Sequence, residues 1–105
     1  MNAATTTLPA LGRPHPTFAS VAEAELDAVH GYLLFLTGDR DVAEDLTAAT
    51  FEKAFRTWRR FDPRRGTSRA WLCGIARNIA LDHFRSERRR RQREERYARN
   101  LPAVD

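Results

Sequence analysis

The sequence predicts an all-α protein, a compact bundle of three to four helices. The five prolines of the 105-residue chain stand at positions 9, 14, 16, 63 and 102, so residues 17–62 and 64–101 are free of this helix breaker. Apolar residues recur in both stretches at intervals of three and four, as in helices that bury one face. Hydroxyl and acidic residues also stand where such helices would begin.

The chain has room for a single domain, because 105 residues with 42% hydrophobic content build one modest core. Residues 1–16 mix small, polar and proline residues without a period, which is typical of a flexible tail. We therefore expect a helical domain over residues 17–95, with the flexible tail before it and the start of an interdomain linker at residues 96–105.

The first helix is predicted from a capping box and an apolar stripe. Ser20 and Glu23 have the spacing at which a hydroxyl and a carboxylate satisfy free amides of a helix start. The stripe, at helical spacing, consists of Phe18, Ala22, Leu26, Val29, Leu33 and Leu36. We expect this helix to end at Gly38.

A second helix is predicted from the acidic start at Asp41 to about Arg60. Its apolar residues fall on two sides, which gives the helix more surface to bury than one core face uses. One side carries Val42, Leu46 and Ala49, and the other carries Phe51, Ala54, Phe55 and Trp58. Two interpretations stay open here: a partner binds one side, or the aromatic residues are simply buried in the core.

Between these two sides, the second helix carries a separate acidic face. This face consists of Asp41, Asp45, Ala48 and Glu52, with Glu44 and Phe55 at its margin. Such a face is either solvated or the contact surface for a basic partner.

Residues 61–68 form a predicted loop, since they combine a proline, a glycine and hydroxyl residues that can cap the next helix. A third helix should begin near Ser68. Its core stripe consists of Trp71, Leu72, Ile75, Ala76, Ile79 and His83, with His83 interpreted as a packing residue. Whether residues 85–99 continue this helix or form a loose basic linker stays open.

A second stripe of the third helix indicates a function. It consists of Gly74, Asn78, Leu81, Arg85 and Arg88. Arginine binds phosphates, and a side-chain amide binds base edges. The preceding loop adds four arginines, at positions 59, 60, 64 and 65, beside Trp58 and Phe61. Cations next to aromatic planes are typical of proteins that hold unstacked bases.

The charge of the chain is divided along its length. Residues 1–52 contain two basic and eight acidic residues, whereas residues 53–99 contain sixteen basic and five acidic residues. All but one of the basic residues are arginine, which binds phosphates and guanine edges with two hydrogen bonds. Composition alone leaves open whether this charge attracts a polyanion or merely solvates the surface.

Several classes of protein are disfavoured. The single cysteine, Cys73, cannot form an internal disulfide, and we interpret it as a small buried residue in preference to a redox sensor. The three histidines are scattered, so no metal or other cofactor is expected. The absence of a long apolar run predicts a soluble, cytoplasmic protein. No nucleophile and base recur at a workable spacing, so no catalytic residue is assigned and an enzyme is the least favoured class.

Five blocks of sequence point to a known family. They are AEDL at 43–46, TF at 50–51, FDPRRG at 61–66, AWL at 70–72 and IARNIALDHFR at 75–85. In this register, residues 38–85 closely resemble the second conserved region of the extracytoplasmic-function group of bacterial sigma factors. With the preceding helix, the resemblance covers about residues 18–95, and it implies a helical region-two domain with two binding surfaces.

The resemblance implies that the acidic face binds a coiled coil of the beta-prime subunit of core RNA polymerase. Carried over position by position, the polymerase-binding residues are Asp41, Glu44, Asp45, Ala48, Phe51, Glu52 and Phe55. The chain departs from the family pattern at Ala48 and Ala49, where members commonly have glutamine and an acid.

The resemblance also implies that the loop and the third helix bind the minus-ten promoter element as a single, non-template strand and help to open the duplex. A base would be extruded into a pocket built largely by the loop. The DNA-binding residues carried over are Arg60, Arg64, Arg65, Gly66, Thr67, Ser68, Arg77, Asn78 and Arg85. The chain departs from the family pattern at Ser68 and Gly74.

Family members normally carry a second domain, a helix-turn-helix that reads the upstream promoter element, and this chain stops before it. We favour an excised domain of a longer factor over a naturally short form. Two alternatives stay open. One is a module held mainly by an anti-sigma factor, a further expected partner, and the other is a basic helical protein that coats nucleic acid without sequence preference.

Overall fold

The computed structural model describes residues 16–103 and is all-helical over this range, which confirms the predicted fold class. Helix α1 spans Phe18–Thr37, α2 spans Arg40–Arg56 and α3 spans Ser68–Arg99. A short 3₁₀ helix, Trp58–Arg60, follows α2. The predicted tail lies outside the described residues except for Pro16.

Helix α1 begins earlier than the capping box predicted. Its N-cap is Thr17, whose Oγ1 accepts a hydrogen bond from the backbone N–H of Ser20 at 3.1 Å. Ser20 therefore lies inside the first turn, and the prediction of a cap at Ser20 is wrong by three residues. The predicted end at Gly38 is confirmed, because Gly38 takes the left-handed conformation (φ 66°) and its N–H bonds the Leu34 carbonyl at 2.8 Å.

Helix α2 begins at Asp39, which is its N-cap and whose carboxylate accepts the Val42 N–H at 3.1 Å. Asp41, predicted as the start, instead lies in the first turn, where a carboxylate faces the positive end of the helix dipole. The α-helix ends at Arg56 and does not reach Arg60 as predicted. Thr57 leaves the helical conformation, and the 3₁₀ turn after it allows the ring of Trp58 to stack on that of Phe61.

The core lies where the three helices meet, and each helix packs on the other two. Its buried apolar residues are Val21, Val29, Leu33, Ala43, Ala54, Leu72, Ala76 and Ala80. The predicted apolar sides of the helices contributed five of them: Val29, Leu33, Ala54, Leu72 and Ala76. Leu26, predicted in the first stripe, is 47% exposed, because α2 and α3 cover the side of α1 that carries Val21, Val29 and Leu33.

Of the four buried residues on the side of α2 that meets the core, only Ala54 belongs to a predicted apolar side, and two of the other three are polar. Ala43, Thr47, Thr50 and Ala54 are buried along α2. The hydroxyls of Thr47 and Thr50 each donate a 2.7 Å hydrogen bond to the carbonyl four residues earlier. These bonds satisfy both hydroxyls within the helix, so the burial of Thr47 and Thr50 leaves neither side chain unpaired. Small side chains on this line let α2 pack against both neighbours.

An aromatic cluster closes the end of the bundle where the loop leaves α2. Trp58 lies 5.1 Å from Phe61 and 5.7 Å from Trp71 between ring centroids, and Phe18 packs edge-on against Trp58 at 5.5 Å. Both tryptophans pack against the core, as the core stripe of the third helix predicted for Trp71. The cluster therefore fixes the loop to α1 and α3.

Helix α3 continues beyond the bundle, which resolves the two possibilities left open for residues 85–99. The helix remains regular through Arg99, past the domain boundary predicted at residue 95, and where a linker begins stays a prediction. Arg90 donates 2.6 Å hydrogen bonds to both Glu87 and Glu94, one turn to either side. Among residues 16–103, no helix is both long enough and apolar enough to cross a membrane.

Candidate functional site

The loop between the 3₁₀ turn and α3 is shaped by Asp62. Its Oδ1 accepts the backbone N–H of Arg64 at 3.0 Å, and its carboxylate binds the Arg64 guanidinium at 3.2 and 3.3 Å. These bonds to Arg64 hold the pKa of Asp62 below its ordinary value. Thr67 then caps α3 by accepting the Ala70 N–H at 3.0 Å, as the hydroxyl residues of the loop predicted.

A cavity of about 420 Å³ lies between this loop and the first turn of α3. Phe61 and Trp71, with ring centroids 5.5 Å apart, supply its aromatic surface. The predicted DNA-binding residues that line it are Arg60, Arg65, Gly66 and Thr67. The cavity therefore combines flat aromatic rings with guanidinium groups, a composition suited to a planar, anionic ligand.

The other side of the loop forms a second, more open depression of about 640 Å³. Arg64 and Ser68 line this depression and not the first one, whereas Arg65, Gly66 and Thr67 line both. The two loop arginines, Arg64 and Arg65, thus differ in ion pairing. Arg64 is paired with Asp62, and Arg65 has no ion-pair partner among residues 16–103.

The three predicted residues of α3 lie outside both depressions. Arg77, Asn78 and Arg85 are exposed on α3, and Arg85 donates a 2.8 Å hydrogen bond to Asp82. Asn78 follows Trp71 by seven residues, which places it on the same side of the helix about 10 Å further along the axis. A nucleic-acid strand that leaves the cavity along α3 would therefore pass Asn78.

The acidic face predicted on α2 exists. Asp41, Glu44, Asp45, Ala48 and Glu52 are all exposed. Glu52 forms a 2.9 Å ion pair with Arg56, and both side chains are more than half exposed. The face is therefore solvated here and accessible to a partner.

The two aromatic residues among the predicted polymerase-binding positions, Phe51 and Phe55, differ in exposure. Phe55 is 65% exposed, although its ring packs edge-on against that of Phe18 at 5.4 Å. Phe51 is only half-buried and packs against the core. Of the two aromatics, Phe55 offers the larger apolar surface to a partner.

Three residues of the site were not predicted as such: Asp62, Ala70 and Trp71, of which Trp71 was predicted only as a core residue. Asp62 orders the loop, and the Asp-Pro pair at its start is a known signal for such a turn, in which the carboxylate binds an amide two residues on. Ala70 lines the cavity and carries no signal in the sequence. Cys73 is half-buried, and burial raises the pKa of its thiol, which opposes formation of a reactive thiolate.

Comparison with known proteins identifies the family. The family model for sigma-70 region 2 matches residues 21–90. The ECF RNA polymerase sigma factor BldN of Streptomyces coelicolor is 38% identical over 71 residues, which cover 68% of this chain and 27% of that protein. The ECF RNA polymerase sigma factor SigK of Mycobacterium bovis is 31% identical over 96 residues, which cover 90% of this chain and 51% of that protein.

These relatives are longer than the chain, which spans between about a quarter and a half of their length. No solved structure matches the chain with significance. The matched residues include α2, the loop, the cavity and most of α3. The chain therefore belongs to the sigma-70 region 2 family, as a region-two domain of the ECF type.

Proposed function

We propose that this domain acts in transcription initiation by binding core RNA polymerase through α2 and the non-template strand of the minus-ten element through the loop and α3. The observation that carries the proposal is the 420 Å³ cavity, in which two aromatic rings lie beside Arg60 and Arg65. Its guanidinium groups complement phosphate, and its rings complement an unstacked base. The family and the sigma factors similar to this chain support the same role in the cytoplasm.

The proposed DNA contacts divide into two kinds. Within the cavity, the half-buried Trp71 supplies stacking surface for an extruded base, with the buried Phe61 behind it, and flipping such a base costs about a few kcal/mol that the cavity contacts offset. Along α3, the amide of Asn78 reads a base edge while Arg77 and Arg85 bind phosphates. The domain performs no chemistry on the DNA, and RNA synthesis belongs to the polymerase.

The proposed polymerase contact uses the acidic face of α2. Its carboxylates would pair with a basic surface, and Phe55 would add an apolar anchor at the edge. None of the residues that line the cavity belongs to this face. The two partners should therefore bind together and without competition.

The experiment that tests this proposal is formation of a ternary complex. The domain, fluorescently labelled at its amino terminus, is titrated with core RNA polymerase and then with a minus-ten non-template oligonucleotide of about ten nucleotides. We expect both to bind at once. Mutual displacement of polymerase and oligonucleotide would contradict the assignment of separate surfaces.

Single substitutions of the two loop arginines, Arg64 and Arg65, test whether the DNA strand binds in the cavity. Because Arg65 lines the cavity and Arg64 is held by Asp62, Arg65→Ala should weaken binding of the oligonucleotide by about fivefold or more, a loss within the range for one arginine contact. Arg64→Ala should have a smaller effect. Fluorescence anisotropy measures both dissociation constants, and equal losses for the two variants would show that the cavity does not hold the strand.

A further inference from the structure

The first turns of α1 contact the elements that carry the cavity of about 420 Å³, although no residue of α1 lines the cavity itself. Two side chains make these contacts. Phe18 packs on the aromatic cluster, and Glu25 forms an ion pair with the first turn of α3. We call Phe18 and Glu25 the α1 brace. Neither residue belongs to the predicted DNA-binding or polymerase-binding set, so the two proposed binding surfaces leave the brace without a function.

Phe18 contacts Trp58, which lies at the centre of the aromatic cluster. Their ring centroids are 5.5 Å apart and their planes meet at 73°, an edge-to-face arrangement. Trp58 in turn stacks on Phe61 at 5.1 Å and meets Trp71 edge-on at 5.7 Å. Phe61 and Trp71 both line the cavity, whereas Trp58 does not. The position of Phe18 therefore affects the aromatic side of the cavity through Trp58.

Close packing makes this aromatic side sensitive to the half-buried Phe18. Side chains in a core are packed as densely as organic crystals, so a smaller residue at position 18 leaves space into which Trp58 can tilt. The rings that contact Trp58 would move with it. A gap of about 0.5–1 Å forfeits about a quarter to a half of a dispersion contact, which is enough to weaken the stacking of a base on Trp71.

Glu25 holds a different side of the cavity. Its Oε1 accepts a hydrogen bond from Nε of Arg69 at 2.7 Å, and its side chain is only 16% exposed. Among the ion pairs of residues 16–103, this is the only one that joins two helices. Arg69 lies in the first turn of α3, next to Ala70 and two residues after Thr67, and both of these residues line the cavity. The ion pair therefore fixes the cavity side of α3 against α1.

We propose that the α1 brace positions the cavity for an extruded base. Phe18 holds the aromatic side of the cavity through Trp58. Glu25 holds the α3 side through Arg69. Both are positioning residues, since neither touches the DNA. Loss of either one reduces the fit of the base, whereas the phosphate contacts of exposed arginines outside the cavity persist. This inference rests on the proposed function, since it requires that the cavity receives a base.

The test uses single-stranded minus-ten oligonucleotides in which one position at a time is abasic. Phe18→Leu shortens one side chain of the brace, and Glu25→Ala removes the other. Phe35→Leu and Glu23→Ala are the matched controls, because they make the same changes at exposed positions of α1, where Phe35 is 83% exposed. Circular dichroism at the assay temperature establishes that each variant is folded. Glu25→Ala leaves the aromatic cluster intact and decides the inference alone if Phe18→Leu does not fold.

Dissociation constants of the parent domain and the variants are measured by fluorescence anisotropy. We expect Phe18→Leu and Glu25→Ala each to bind the intact oligonucleotide about three- to tenfold more weakly than the parent domain does. At one abasic position, the same for both variants, this difference should vanish, because the cavity then receives no base. At every other abasic position the difference should persist. The two controls should bind all probes as the parent domain does.

An equal loss on every probe would overturn the inference, because the brace would then only stabilise the fold. Unchanged binding of the intact oligonucleotide by Glu25→Ala, or a loss of the same size in the controls, would overturn it as well. The proposed function fails in a distinguishable way, since its failure shows in the parent domain alone. Equal affinity of the parent domain for the intact and for every abasic oligonucleotide would refute base binding in the cavity, and the inference with it.

Discussion

Leu72→Ala is expected to be strongly destabilising. Leu72 is completely buried between the helices, and removal of a buried leucine side chain costs about 2–5 kcal/mol through lost apolar contact and the cavity that remains. Small domains have total stabilities of about 5–15 kcal/mol, so this single change removes a large part of the total. Chemical denaturation followed by circular dichroism measures the loss.

Leu26→Ala is the matched control for this change. The substitution is chemically identical, but Leu26 is 47% exposed, so we expect a cost of less than about 1 kcal/mol. Similar losses for the two leucines would contradict the packing described here, since Leu26 would then belong to the core as its sequence pattern predicted.

Neutralising the acidic face should abolish most of the binding to core polymerase. In Asp41→Asn/Asp45→Asn/Glu52→Gln, three exposed carboxylates become amides of nearly the same shape. We expect at least about 30-fold weaker binding, equivalent to about 2 kcal/mol at an interface that relies on charge pairs. The ion pair of Glu52 with Arg56 is exposed, so its loss should leave the fold almost unchanged.

A second triple variant controls for net charge. Glu23→Gln/Asp27→Asn/Glu95→Gln also removes three exposed carboxylates, two from α1 and one from the last turns of α3. It should bind core polymerase as the parent domain does. If both triple variants lost affinity equally in a titration with labelled domain, long-range charge and not the face on α2 would govern the binding.

Much of the fold was predictable because local signals agree with tertiary packing. Gly38 marks the end of α1, and a hydroxyl residue marks the start of α3. Helix starts were misplaced where two suitable capping residues stand close together, as Asp39 and Asp41 do. Which of them caps the helix depends on the backbone conformation that enters it, and sequence spacing does not specify that conformation.

The core side of α2 was not predictable from hydrophobicity, because buried Thr47 and Thr50 are counted as polar by any such pattern. Their hydroxyls become compatible with the core only once the helix provides carbonyl acceptors. In the site, the arginines and aromatic rings were visible in the sequence as a cluster. The pairing of Arg64 with Asp62, which separates it from Arg65, emerges only from the folded loop.

If the domain reads the bases of the minus-ten strand, its binding to single-stranded minus-ten oligonucleotides that vary one base at a time depends on the base. We expect at least one position at which a changed base weakens binding by about 1–3 kcal/mol, or about five- to 150-fold. Asn78→Ala should reduce this preference, whereas Ser86→Ala, at an exposed position of α3 outside the site, should retain it. Equal affinity of the parent domain for every oligonucleotide of the set would contradict the account.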